Sequence, residues 1–177
     1  ESDGSFLRFH PEHALLLNVD EEHLDYFGDM DAVRDAFHRF CQQVSGTRVY
    51  CRDDKVLSEM LEGSDRVISY GFHPDSEFRL EGYLPAEKRC RWNRFRVHRR
   101  DCLIGDFAIR LSGRENALNA TAVIALLIQL GCAVESIRDA LSLFRGVSRR
   151  QQELFRDKNV VVIDDYGHHP TEILSTL

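Results

Sequence analysis

Between residues 14 and 72 short apolar runs alternate with stretches of helical period, and that alternation restricts the chain to a largely parallel sheet covered by helices. Residues 14–19, ALLLNV, form a continuous apolar run suited to a buried strand. The polar DEEHLD that follows lies at the carboxyl end of that strand, where open α/β sheets place their ligands. From Asp31 to about Val44, apolar side chains at Val33, Ala36, Phe37, Phe40, Cys41 and Val44 recur at helical spacing, with Asp29 and Asp31 suited to the amino end. Residues 48–51 read as a strand, Lys55 to Glu62 as a short helix closed by Gly63, and RVISYGF at 66–72 as another strand.

Residues 78–111 interrupt the alternation with short β-like stretches around Gly82, Pro85 and Gly105, which predict a small antiparallel subsheet. Within them KRCRWNRFRVHRR, Lys88 to Arg100, is densely basic with Trp92 and Phe95 interleaved, as a single-strand nucleic-acid platform requires. Arginines at a spacing of two fit a β ribbon with a solvated basic face, which is the preferred reading. Helices return at Asn116 to Leu130, apolar nearly all round and stopped by Gly131, and at about Val134 to Phe144. GVSRRQQE at 146–153 is the best domain boundary, and NVVVID at 159–164 is a strand that begins something new.

No apolar run reaches the length of a membrane span, and the amino terminus carries no secretion signal, so a cytoplasmic protein is expected. A net charge of -6 argues against general nucleic-acid binding, which depends on neutralising phosphates. Five cysteines, Cys41, Cys51, Cys90, Cys102 and Cys132, form no C-x-x-C pair and read as reduced, mostly buried packing residues. The chain opens on Glu1 and stops at Leu177 shortly after Pro170, and the expectation is a piece of a longer protein.

Three polar groups could carry chemistry. Glu1 with Asp3 is one. The second sets His23 among Asp20, Glu21, Glu22 and Asp25, where carboxylates and an imidazole could hold a divalent cation, although such a histidine also serves as an ordinary surface or helix-start residue. The third, DDYGHHPTE at 164–172, follows the apolar VVVI and precedes a Pro-initiated helix. Its side chains could bind ribose hydroxyls, phosphate oxygens or a metal, and its last residues also fit a capped helix start.

Together these segments resemble the Mur ligase family, over essentially the whole chain and most closely its alanine-adding branch. ESDGSF resembles the family's acidic segment, which implies that Glu1 binds the magnesium ion bridging the ATP phosphates, with Asp3 and Ser5 near the substrate. NVDEEHLD resembles its N-[IV]-x-x-D-H-[LM]-D motif, with Glu22 in place of the usual aspartate, and implies a second magnesium on His23. SGRENALNA resembles the adenine-binding G-x-H-N-x-x-N stretch and points to Asn116 and Asn119, with Glu115 where histidine is usual. An amide can donate to and accept from an adenine edge. GVSRRQQEL resembles the hinge whose arginine touches ATP phosphates, so Arg150 is the better match and Arg149 the second. DDYGHHPTE implies Asp165, Tyr166 and His168 as nucleotide and substrate contacts. Phe37 stands where sister ligases carry a carbamylated lysine, and Tyr166 with Gly167 favours the alanine-adding branch over the murein-peptide recycling ligases, the nearest alternative.

The resemblance implies a P-loop-type ATP-binding central domain over 1–147 and, from 148 to 177, a hinge with the beginning of a Rossmann-like domain. It implies ATP-dependent ligation of L-alanine to UDP-N-acetylmuramate through an acyl phosphate, with magnesium and without nucleic acid or membrane. The phosphate-cradling G-x-x-x-x-G-K-[ST] pattern does not occur among these residues, and in the family it lies upstream of the acidic segment. Residues 1–177 alone are therefore expected to be inactive. A metal-dependent phosphoesterase using EHLD and DDYGHH, and a single-strand RNA binder using the basic run, are the readings from other classes.

Overall fold

The computed structural model describes residues 3–21, 24–86, 92–167, 170 and 173–174. After a single 3-10 turn at Ser5–Arg8 the order is β1 (Ala14–Leu16), α1 (Leu24–Phe27), α2 (Met30–Gln43), β2 (Arg48–Cys51), α3 (Lys55–Leu61), β3 (Val67–Gly71), β4 (Phe78–Leu84), β5 (Asn93–Arg99), β6 (Cys102–Ile109), α4 (Arg114–Gln129), α5 (Val134–Leu143), β7 (Gln152–Arg156) and β8 (Val161–Asp164). Strands β1 to β6 form one sheet in sequence order. β1, β2, β3 and β4 run parallel, whereas β5 and β6 are antiparallel to their neighbours.

The alternation of strand and helix thus produces the α/β sheet it predicts. The antiparallel segment is an extension of the same sheet: β4 pairs with β3 through Tyr70 and Phe78, and on its other side with β5. Along β5, Asn93, Phe95 and Val97 are buried while Arg94 and Arg96 face solvent, which bears out the basic-ribbon reading where the run is described. Lys88 to Arg91 lie outside the described residues. The buried Asn93 is satisfied: its Oδ1 accepts from the Tyr83 hydroxyl at 3.0 Å and the Ala86 N–H at 2.9 Å, and its Nδ2 donates to the Leu111 carbonyl at 2.6 Å.

Capping sets where the helices begin. The Asp29 carboxylate accepts from the Ala32 N–H at 2.9 Å and starts α2, which buries Val33, Ala36 and Cys41. Helix α4 lies across the sheet on a face of small residues, Ala117, Ala120, Thr121, Ala122 and Ala125, all buried. The Thr121 hydroxyl returns its hydrogen bond to the Ala117 carbonyl at 2.8 Å, which removes the cost of burying it.

Two expectations change. The apolar run at 14–19 yields a strand of only three residues, and past its end the Val19 N–H donates to Asp54 Oδ2 at 3.0 Å. Cys41 and Cys51 are buried and free, but Cys102 and Cys132 are exposed, so the cysteines are not mostly packing residues. Outside the six-stranded sheet, β7 pairs antiparallel with β8 as a separate two-stranded ribbon. No helix among the described residues is long and apolar enough to cross a membrane.

Candidate functional site

The parallel strands bring the carboxyl ends of β1, β2 and β3 to one edge, and a pair of aspartates just past β2 ties those ends together. Asp54 Oδ2 accepts from the Val19 N–H beyond β1, while its Oδ1 accepts from the Leu57 N–H at 2.8 Å and caps α3. Asp53 reaches the opposite way: its two oxygens accept from the Phe72 and His73 N–H groups beyond β3, both at 2.8 Å. Gly71 makes room for this clamp, since a Cβ there would stand 2.8 Å from Asp53 Oδ1.

Helix α4 begins at the same edge. Arg114 lies over the Phe72 ring with its guanidinium carbon 3.7 Å from the ring centroid, and its Nη1 is 3.8 Å from Glu115 Oε1. Asn116, partly buried, donates from Nδ2 to the Ser112 carbonyl at 2.6 Å, which leaves its Oδ1 as an acceptor in the first turn, while Asn119 is exposed. Beneath, Tyr70 is fully buried on β3. Burial, reinforced by the neighbouring Cys51 thiol and by the charges of Asp53 and Glu115, raises its phenol well above the usual tyrosine range.

The stretch between α5 and β7 also approaches the start of α4. The Gln151 amide nitrogen lies 4.0 Å from where a Cβ on Gly113, the residue before α4, would stand. Asp165 accepts from the Gln151 N–H at 2.9 Å and from the Gly167 N–H at 2.7 Å, and the Tyr166 N–H donates to the Arg149 carbonyl at 2.8 Å. Arg149 and Arg150 both sit over the Tyr166 ring, at 4.7 and 5.9 Å. Arg149 to Gln151, Asp165 and Tyr166 are thus tied to one another, and Gln151 brings them up to Gly113, the residue before α4.

The acidic segment is held elsewhere on the fold. Phe6 packs its ring 5.5 Å from Phe37 and 5.6 Å from Phe40 on α2, and Gln43 donates to the Leu7 carbonyl at 3.0 Å. Gly4 is buried against Tyr26, where an added Cβ would meet the phenol oxygen at 3.2 Å. That contact brings residues 3–5 beside the segment that follows His23. The Ser5 N–H donates to Asp3 Oδ1 at 3.0 Å, and this bond holds the Asp3 carboxyl below its ordinary value. An ionised carboxylate is the donor that a hard divalent cation takes. Glu1, His23 and His168 lie outside the described residues, and no group of three or more His, Cys, Asp or Glu side chains able to hold a metal occurs among the described ones.

Sequence reading missed Asp53, Asp54 and the Phe72 with Arg114 pair. An aspartate doublet between a buried strand and an amphipathic stretch was a usable signal, because one member suits a helix cap. The ring contact spans more than forty positions and leaves no trace in local periodicity.

Residues 2–127 match the Mur ligase middle domain. The whole chain is 39% identical over 180 residues to the UDP-N-acetylmuramate--L-alanine ligase of Myxococcus xanthus and covers 38% of that protein. The crystal structure of UDP-N-acetylmuramate-alanine ligase from Thermotoga maritima superimposes with a TM-score of 0.83 at 29% identity, over 98% of this chain and 39% of that one. A ligase of Neisseria meningitides joining UDP-N-acetylmuramate to L-alanyl-gamma-D-glutamyl-meso-diaminopimelate gives a TM-score of 0.67 at 26% identity, over 81% of this chain and 43% of that one. The chain thus spans about two fifths of the length of the relatives it matches.

Proposed function

The chain belongs to the Mur ligase family, and from that premise we propose that the protein containing it is an ATP-dependent ligase that joins L-alanine to UDP-N-acetylmuramate in the cytoplasm, in peptidoglycan precursor synthesis. The observation that supports the reading is that Arg149 to Gln151, tied to Asp165 and Tyr166, come up to Gly113, the residue before the helix that carries Asn116. Identity to an alanine-adding ligase along the whole chain supports the choice of substrate.

In this reading residues 1–147 are the central nucleotide-binding domain, and 148–177 are the hinge and opening of a second domain. The exposed apolar strand β8 is consistent with that boundary. The muramate carboxylate oxygen attacks the γ-phosphorus as the bond to the ADP oxygen breaks, giving an acyl phosphate. The alanine amine, having lost its ammonium proton, then attacks the acyl carbon, and inorganic phosphate leaves as the amide forms. Two anions meet in the first step, so cancelling charge is the main catalytic task. Arg150 is assigned to the phosphates and Asn116 with Asn119 to the adenine. Asp165 is assigned to the nucleotide, and Asp3, Ser5, Tyr166 and His168 to substrate. Glu1 and His23 would hold magnesium, which when bound would further neutralise phosphate charge.

The test is ligation by the full-length protein with ATP, magnesium and UDP-N-acetylmuramate, offering L-alanine or the L-alanyl-γ-D-glutamyl-diaminopimelate tripeptide. Phosphate release that needs L-alanine, with hydroxylamine trapping an acyl phosphate, is expected. Turnover with the tripeptide alone would move the protein to the recycling branch, and phosphate-ester hydrolysis without ATP would remove it from the ligases. Residues 1–177 by themselves are expected to be inactive.

A further inference from the structure

We propose that Asp54 is a positioning residue for the acidic stretch between β1 and α1, and that its hydrogen bond to Val19 sets where that stretch leaves the sheet. The inference rests on the assignment of His23, within the stretch, to magnesium.

The stretch is held on both sides. Ahead of it, past the end of β1, Val19 is buried and its N–H donates to Asp54 Oδ2 at 3.0 Å, across 35 positions of sequence. Among the described residues of 17–21 this is the one side-chain hydrogen bond that reaches beyond a neighbour, since the Glu21 N–H donates to Asp20 Oδ1. After it, Tyr26 on α1 lies against Gly4. Asp20 and Glu21 themselves are exposed, so their own packing does not fix the path of the chain.

The anchor at Asp54 is stiff because its other polar groups are engaged. Its N–H donates to the Cys51 carbonyl at 3.3 Å, its carbonyl accepts from the Ser58 N–H at 3.0 Å, and Oδ1 accepts from the Leu57 N–H at 2.8 Å. Helix α3 is in turn rooted by Leu57 and Leu61, both buried in the core. Capping that helix takes one oxygen, and serine or asparagine caps as well as aspartate does. The second oxygen is therefore surplus to the helix, and what it holds is the exit from β1. An asparagine amide has one accepting oxygen, so it can cap α3 or hold Val19 but not both, and a serine hydroxyl at the capping position is too short to do more than cap. Magnesium demands near-ideal octahedral geometry, so displacing the chain that carries one of its ligands costs affinity even though Asp54 never touches the ion.

The experiment compares Asp54→Ser, Asp54→Asn and Asp54→Ala in the full-length protein by three measurements. They are urea unfolding, the magnesium concentration giving half-maximal ligation, and binding of manganese(II) followed through the EPR signal of the free ion. Asp54→Ser and Asp54→Asn are expected to keep the parent's urea midpoint, whereas Asp54→Ala lowers it. All three raise the half-saturating magnesium concentration and weaken manganese binding about tenfold, the scale for losing a group that orients a metal ligand. At saturating magnesium kcat stays within about twofold. Unchanged metal dependence in Asp54→Ser and Asp54→Asn, with any loss confined to Asp54→Ala, reduces Asp54 to a helix cap and overturns the proposal. If Asp54→Ser does not fold, Asp54→Asn, the closer in shape, decides. A parent protein that binds manganese but does not ligate L-alanine refutes the ligase reading, and the manganese comparison alone then upholds or overturns the role of Asp54. A parent that binds no manganese refutes that role.

Discussion

Strands β2 and β8 are built from similar residues and have opposite fates. In β2 Val49 and Tyr50 are 0% and 2% exposed, with a parallel neighbour on each side and α4 across the sheet. In β8 Val161, Val162 and Ile163 are 40%, 44% and 54% exposed, paired only with β7. Residues of high β propensity make a strand in both places, but only covering layers turn a strand into core. The ribbon is instead held by its turn, where Asp157 Oδ1 accepts from the Asn159 and Val160 N–H groups at 2.7 and 2.8 Å.

The contrast can be broken by mutation. The largest effect is expected from Leu57→Ala, which empties a fully buried site against the first layer and costs about 2 to 5 kcal/mol in urea unfolding. A loss below about 1 kcal/mol would mean the layer is looser than its burial implies. Next comes Asp54→Ala, which removes the α3 cap and the tie to Val19 together, for about 1 to 2 kcal/mol. Val162→Ala in residues 1–177 is expected to stay within about 0.5 kcal/mol, as at any exposed site. A larger cost in a longer protein would measure how much cover the ribbon gains there. The smallest effect is local and set by acid. The two N–H donors hold the Asp157 carboxyl below its ordinary 3.8, so its contribution is complete above that value and is lost as pH falls through the lower folded one. Amide shifts of Asn159 and Val160 followed by NMR should move in that window while those of β2 stay fixed.

Most of the layered region was legible because its causes are local. The period of α2, the cap at Asp29 and the two-residue alternation of Arg94 and Arg96 all act within one element. Strand β7 was not, because QELFR carries no alternation and exists only by pairing with β8. At the candidate site, motif resemblance marked Asn116, Arg150, Asp165 and Tyr166, of which Arg150 lies over the Tyr166 ring and Asp165 grips the neighbouring Gln151. Asp53 and Phe72 stayed hidden, because what they do depends on which strand ends lie side by side. Sequence spacing does not encode that until the strand order is known.

Between α5 and β7, Arg149 and Gln151 adopt left-handed backbone, with φ of 60° and 48°, although neither is glycine. Each such residue costs about 1 to 2 kcal/mol, and what offsets it here is the grip of Asp165 on the Gln151 N–H and of the Arg149 carbonyl on the Tyr166 N–H. This stretch is thus a cocked spring with its catch in the segment that follows β8. Anything that draws Asp165 away, a bound molecule included, frees the backbone to relax, so engagement at one side chain would be felt as a change in the direction in which the chain travels.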